Sequence, residues 1–109
     1  MGFFSALFGN TANGQLTEAI QQGTCLVDVR TPAEFVKGSV KGAVNIPLDK
    51  LQTELSKCHG KENIVVFCLS GNRSGKAKSI LEQNGFQNVI NGGTRQNVNQ
   101  VVNQNKQEI

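Results

Sequence analysis

"NIVVFCLSGNRSGKAKSILEQNG", residues 63–85, decides the fold. Residues 64–67 are an unbroken apolar run with two valines, the pattern of a strand buried on both faces. From Arg73 to Asn84 the chain reads as a helix, and Gly85 suits its stop. The short join carries Cys68, Ser70 and Gly71. A strand that feeds a helix through a tight loop is half of a βαβ unit, so more such units are expected on either side.

The flanking sequence supplies them. "NGQLTEAIQQG" puts Leu16, Ala19 and Ile20 on one helical face and ends in Gly23. "TCLVDV" is a buried strand ending near Asp28 and Arg30. In "TPAEF", Thr31 can cap a short helix, Pro32 suits its first position and Glu34 completes a capping box. "AVNIP" is a strand stopped by Pro47. "LDKLQTELSKCHG" spaces Leu48, Leu51 and Leu55 as one helix. "FQNVIN" gives a last strand, followed by a turn at Gly92 and Gly93. Alternating strands and helices with short joins predict a parallel sheet covered on both faces. Ligands of such sheets gather outside the carboxyl ends of the strands. Cys68, Asp28 and Arg30 lie at such ends.

Composition narrows the function. The chain has 109 residues and a net charge of +3, enough for one domain with one core. It has no Trp or Tyr and no basic run interleaved with aromatics, which argues against nucleic-acid binding. Its three cysteines include no C-x-x-C and show no metal-ligand spacing. A reducing compartment, the cytoplasm, is expected, with neither metal nor cofactor. The apolar segment "MGFFSALFGN" is far too short to span a bilayer and lacks a basic n-region. Ala6 stands where myristoylation wants Ser or Thr. Phe3, Phe4, Leu7 and Phe8 are expected to dock on the core or on a partner.

Three chemistries compete for the Cys68 loop. A nucleotide phosphate loop fails, because only three residues separate Gly71 from Gly75 and Ala77 follows Lys76. A cysteine phosphatase places five residues between Cys and Arg; Leu69, Ser70, Gly71 and Asn72 make four. The shorter loop makes a tighter ring of backbone N–H groups, too small for phosphate and suited to a single sulfur atom on the cysteine. The third chemistry is therefore that of a thiol. Amides turned inward and a helix N-terminus favour thiolate, and Arg73 adds to this. They would equally hold the outer sulfur of a persulfide. Gly71 lets the backbone turn, and Ser70, Asn72 and Ser74 can donate further hydrogen bonds. Such a thiol is expected to be open to solvent. On the residues alone a packing role for Cys68, with Arg73 a solvated helix start, stays open.

These stretches together resemble the single-domain rhodanese-like (thiosulfate sulfurtransferase) family. "CLSGNRS" resembles its active-site loop, "LVDVRTPAEFVKGSVKGAVNIP" its N-terminal signature and "NGFQNVINGG" its closing segment. The resemblance spans residues 16–93 and implies a parallel sheet of about five strands with helices on both faces. It implies that Cys68 is the nucleophile and that Leu69, Ser70, Gly71, Asn72, Arg73 and Ser74 form the sulfur and anion cradle. The implied reaction is ping-pong: thiosulfate or another persulfide donor loads Cys68, and cyanide or a thiol, which a protein could carry, unloads it. Arg73 would attract the anionic donor. The alternative is a persulfide carrier or sulfide-binding module loaded by a partner protein.

Some features depart from the family or stand outside it. Ser39 follows Gly38 where the signature commonly has His. Thr94 follows the glycine pair where an apolar or Trp-bearing helix is usual. Residues 94–109 form a polar tail whose Val98, Val101 and Val102 share a helical face, so a weakly docked helix is expected. Asp28 and Arg30 are read as a supporting ion pair that braces neighbouring loops. Cys25 is read as a small buried hydrophobe. Cys58 is read as the more exposed thiol and a candidate to resolve a persulfide, and His59 as a solvated loop histidine that could act as base or ligand.

Overall fold

The computed structural model describes residues 11–58 and 63–107. The apolar segment 1–10 and His59 lie outside them. Helix α1 (Thr11–Gln22) leads to β1 (Cys25–Asp28), α2 (Pro32–Val36), β2 (Val44–Asn45), α3 (Leu48–Leu51) and a 3-10 turn (Leu55–Cys58). Then come β3 (Ile64–Cys68), α4 (Asn72–Gln83), β4 (Val89–Thr94) and α5 (Arg95–Gln107).

The four strands among the described residues pair in parallel in the order β2-β1-β3-β4. This is the expected α/β sheet. The chain leaves β1 toward β2 and leaves β3 toward β4, in opposite directions. The crevice between β1 and β3 is therefore a topological switch point, where ligands of such sheets sit. Cys68 and Asp28 end the two strands that flank it.

Strand alternation sorts the core into two layers. Ile64, Val66 and Cys68 of β3 share one face with Val27, Leu51, Ala77 and Leu81. Val65 and Phe67 share the other with Leu16, Ala19, Val98 and Val101. Helix α4 therefore covers one face, and α1 and α5 the other. Phe67 has no exposed surface; its burial contributes about 1.5–3 kcal/mol, and Phe67→Ala would cost about 3–5 kcal/mol once the cavity is counted.

Two local predictions need correction. The single helix read over residues 48–60 is broken after Leu51. Thr53 donates both its N–H and its hydroxyl to the Lys50 carbonyl, at 3.1 and 2.9 Å. That three-residue reach tightens the turn and ends the α-helical ladder. The turn read at Gly92 and Gly93 lies instead inside β4. There Val66 pairs with Asn91 and Phe67 with Gly93, so Gly92 is the extra residue of a bulge.

Gly92 also explains how the polar tail packs. A Cβ there would lie 2.6 Å from Val98 Cγ2 and 3.0 Å from Val65 Cγ1. With hydrogen in its place, α5 comes close enough to bury Val98 and Val101. Thr94 caps the helix by accepting from the Asn97 N–H at 3.0 Å.

Candidate active site

The site is built from the end of β3 and the start of α4. Gly71 immediately precedes α4 with φ at 94°, a left-handed value that glycine adopts without strain. That turn swings the Gly71 N–H back onto the Cys68 Sγ, at 2.9 Å. The Ser74 N–H, in the first turn of α4, reaches the same sulfur at 3.4 Å. The thiol itself donates to the Ser74 hydroxyl at 3.6 Å.

Burial alone would push the Cys68 thiol up. The Ser74 hydroxyl and the amides of Ser74, Gly71 and Ser70 outweigh it and hold the thiol below its ordinary value. The six loop residues thus divide. Ser70, Gly71 and Ser74 address the sulfur. Leu69 and Asn72 are exposed, and Arg73 is half-buried.

The expectation of a solvent-open thiol is corrected: Cys68 is 0% exposed. Two amides within hydrogen-bond reach of the sulfur close the four-residue loop over it. Leu69, beside it in sequence, is 60% exposed.

Arg73 is placed by a residue that the sequence marked only as a helix cap. Its guanidinium grips Glu34 in bidentate fashion, at 2.9 and 3.2 Å. Glu34 also completes the predicted capping box, accepting from the Thr31 N–H at 2.9 Å. The Arg73 hydrogen bond, helped by Thr31, lowers the Glu34 carboxyl to about 2. Arg73 therefore meets a carboxylate already in place. It also lines a groove of about 320 Å³ with Val29, Thr31, Pro47, Leu48 and Asp49.

Asp28 and Arg30 form a buried pair with exposures of 0% and 5%. The Arg30 Nη2 lies 2.7 Å from one Asp28 oxygen and 2.6 Å from the Gly38 carbonyl oxygen. Ser39 donates to Asp28 at 2.6 Å, so the position where the signature has His keeps a polar role. Asn45 donates to the carbonyls of both residues, at 2.9 and 3.0 Å. The hydrogen bond to Asp28 raises the Arg30 guanidinium above its ordinary value. This cluster ties the end of β1 to the next loop and to β2.

Two further sequence readings change or extend. Cys58 is fully buried and Cys25 only half-buried, the reverse of their expected exposure. The 3-10 turn carries Cys58 into the core beside Leu51 and Leu55. Asn91, which the sequence did not single out, accepts from the Ser74 hydroxyl at 2.7 Å. Among the described residues no group of three or more His, Cys, Asp or Glu side chains is placed to hold a metal ion.

This strand, thiol and amide-lined loop meet a family model, described as Rhodanese-like domain, that matches residues 12–96. The chain belongs to the rhodanese-like family. This rhodanese-like domain is 36% identical over 69 residues to "Thiosulfate sulfurtransferase PspE" of Escherichia coli, covering 62% of this chain and 66% of that protein. It is 36% identical over 66 residues to "Sulfurtransferase" of Allochromatium vinosum, covering 61% and 62%. The domain thus spans about three fifths to two thirds of the length of these relatives. A solved structure titled "rhodanese with anions from E. coli" superposes with a TM-score of 0.63 at 32% identity, covering 69% of this chain and 91% of that one. The family is one of sulfurtransferases.

Proposed function

We propose that this chain is a rhodanese-type sulfurtransferase that passes a sulfane sulfur through Cys68. One observation carries the reading: the amides of Gly71 and Ser74, at 2.9 and 3.4 Å, and the Ser74 hydroxyl, at 3.6 Å, converge on one sulfur. In the first half-reaction the Cys68 thiolate attacks the outer sulfur of thiosulfate. A new S–S bond forms, the old one breaks, and sulfite leaves with the electron pair. In the second, cyanide or a thiolate attacks that outer sulfur. Thiocyanate or a new persulfide leaves, and the Cys68 thiolate returns. Neither half needs an outside oxidant, metal or cofactor.

Leu69, Ser70, Gly71, Asn72, Arg73 and Ser74 form the cradle, and their roles differ. The inward amides replace water around the anionic sulfur. Arg73 is held by Glu34, so it braces the loop first and draws in a donor second. Asp28 and Arg30 brace the neighbouring loops. Because the thiol is buried, a donor reaches it only when the loop lifts. Small alkylating reagents should therefore modify Cys68 much faster than bulky ones; equal rates would contradict this closure.

The partners in this reading are a small anionic sulfur donor such as thiosulfate and a thiol acceptor, a protein among the candidates. A reactive thiol suits the reducing cytoplasm. No described helix is long and apolar enough to cross a membrane. The test is a steady-state assay with thiosulfate and cyanide, in which turnover should vanish in Cys68→Ser. Negligible turnover by the unaltered protein, with a stable gain of one sulfur from a loaded partner, would replace the enzyme by a carrier.

A further inference from the structure

The Ser74 hydroxyl has one proton and several claimants. It lies 2.7 Å from Asn91 Oδ1, 3.0 Å from the Gly71 carbonyl oxygen, 3.5 Å from that of Gly93 and 3.6 Å from Cys68 Sγ. The Asn91 contact is the shortest. The orientation of that amide is set by a second donor, because the Gly93 N–H bonds to the same Oδ1 at 2.9 Å. Turning the amide over would aim its NH₂ at the Gly93 N–H and lose that bond. Ser74 has no exposed surface, whereas Asn91 reaches it from an exposed position on β4.

In the thiol form the pieces make a chain: Cys68 donates to Ser74, and Ser74 donates to Asn91. Once Cys68 is ionised it has no proton to give and wants donors instead. Ser74 can serve it only by rotating its proton away from Asn91. We propose that Asn91 is a positioning residue for the reacting sulfur, holding the Ser74 proton and so opposing its donation to the Cys68 thiolate or persulfide. The inference rests on the reading of Cys68 as the reacting atom. Asn91 never touches that atom and acts through Ser74.

The charged groups near this end of the sheet are Arg73 and Lys76 on α4, Glu34 on α2, Asp49 on α3, Asp28 at the end of β1 with Arg30 just beyond it, and Arg95 at the start of α5. All are kept in every variant below, so each effect is read as a difference. Strand β4, which supplies Asn91, has no titratable side chain of its own.

The test is the pH dependence of Cys68 alkylation by iodoacetamide, read on the Cys68 peptide by mass spectrometry. Asn91→Ala frees the Ser74 proton, and the midpoint should fall by about one unit, a tenfold gain in thiolate fraction well below it. Asn91→Asp keeps the shape and the Gly93 bond but holds the proton harder, so the midpoint should rise. In a Ser74→Ala background both shifts should disappear. An unchanged or raised midpoint in Asn91→Ala overturns the proposal. So does an Asn91→Asp shift that survives without Ser74, since it would then be through-space charge. If Asn91→Ala fails to fold, Asn91→Asp with and without Ser74 decides alone. The readout needs no sulfur transfer, so it can succeed where the proposed reaction fails, and the reverse.

Discussion

Gly71→Ala tests the loop most directly. The added Cβ would meet only Gly93 Cα, at 3.9 Å, so there is no clash and the cost is conformational. A left-handed alanine is less stable by about 1–2 kcal/mol. The loop can keep that strain and its hydrogen bond, or relax and give up the 2.9 Å contact from the Gly71 N–H to the sulfur. With a neutral thiol that bond contributes only about 0.5–1.5 kcal/mol, so relaxing is competitive. With a thiolate it contributes about 1.5–3 kcal/mol, so the strain is kept. The two states then differ by at most about 1.5 kcal/mol, which is about one pKa unit. The expected result is a fall in stability of about 1 kcal/mol, or roughly 4–8 °C in Tm for a domain near this size. The Cys68 midpoint should rise by about one unit at most. Thermal melts and alkylation profiles of the two proteins read both numbers. A variant with unchanged melting and midpoint would refute the claim that this turn aims the amide. A rise of two units or more would show that one glycine holds the whole cradle.

Other perturbations address the frame around the sulfur. Glu34→Gln unties Arg73 and adds one net positive charge to the site; the KM for thiosulfate should fall a few-fold at low salt, with the gain screened away at high salt. A raised KM would mean that Glu34 is needed mainly to aim Arg73. The same clamp has a pH signature. Arg73 lowers the Glu34 carboxyl from its ordinary 4.5 to about 2. Its stabilisation is therefore complete above pH 4.5 and is lost as pH falls through 2, which the exchange of the Arg73 side-chain N–H groups in NMR would follow. Asp28→Asn leaves Arg30 charged and unpaired in the interior, and denaturant melts should show a loss of about 3–5 kcal/mol; wild-type stability would deny the pair its bracing role. Gly92→Ala forces a Cβ to within 2.6 Å of Val98, an overpacking of about 1–3 kcal/mol. Adding Val98→Ala should return part of that loss, and strict additivity of the two changes would argue against the contact.

What the sequence disclosed was local. The apolar runs of β1 and β3, the cap at Thr31 and the glycine before α4 all act within a few residues of themselves. The pattern Cys-x₄-Arg-Ser placed the loop for the same reason. Contacts between distant segments were silent. Glu34 and Arg73 are 39 residues apart, and Ser74 and Asn91 are 17 apart. Glu34 satisfied a local rule completely, which hid its second role. Gly92 and Gly93 were read as a turn because glycine pairs usually make one; only the register against β3 reveals the bulge. The break after Leu51 lay inside a sound leucine repeat, since periodicity does not register a threonine hydroxyl returning to the backbone. Exposure failed at Cys58 and Cys68, whose neighbours in sequence are not their neighbours in space.

The bulge in β4 has a consequence for how the molecule could respond to what it touches. Three adjacent residues face two different clients: Asn91 and Gly93 attend to the serine behind the sulfur, while Gly92 seats a valine of the last helix. A protein that tugged on that helix, or pressed it home, would be moving the peptide units on either side of a single glycine. Grip at the chain's far end and temper at its thiol are thereby set on one short hinge of backbone.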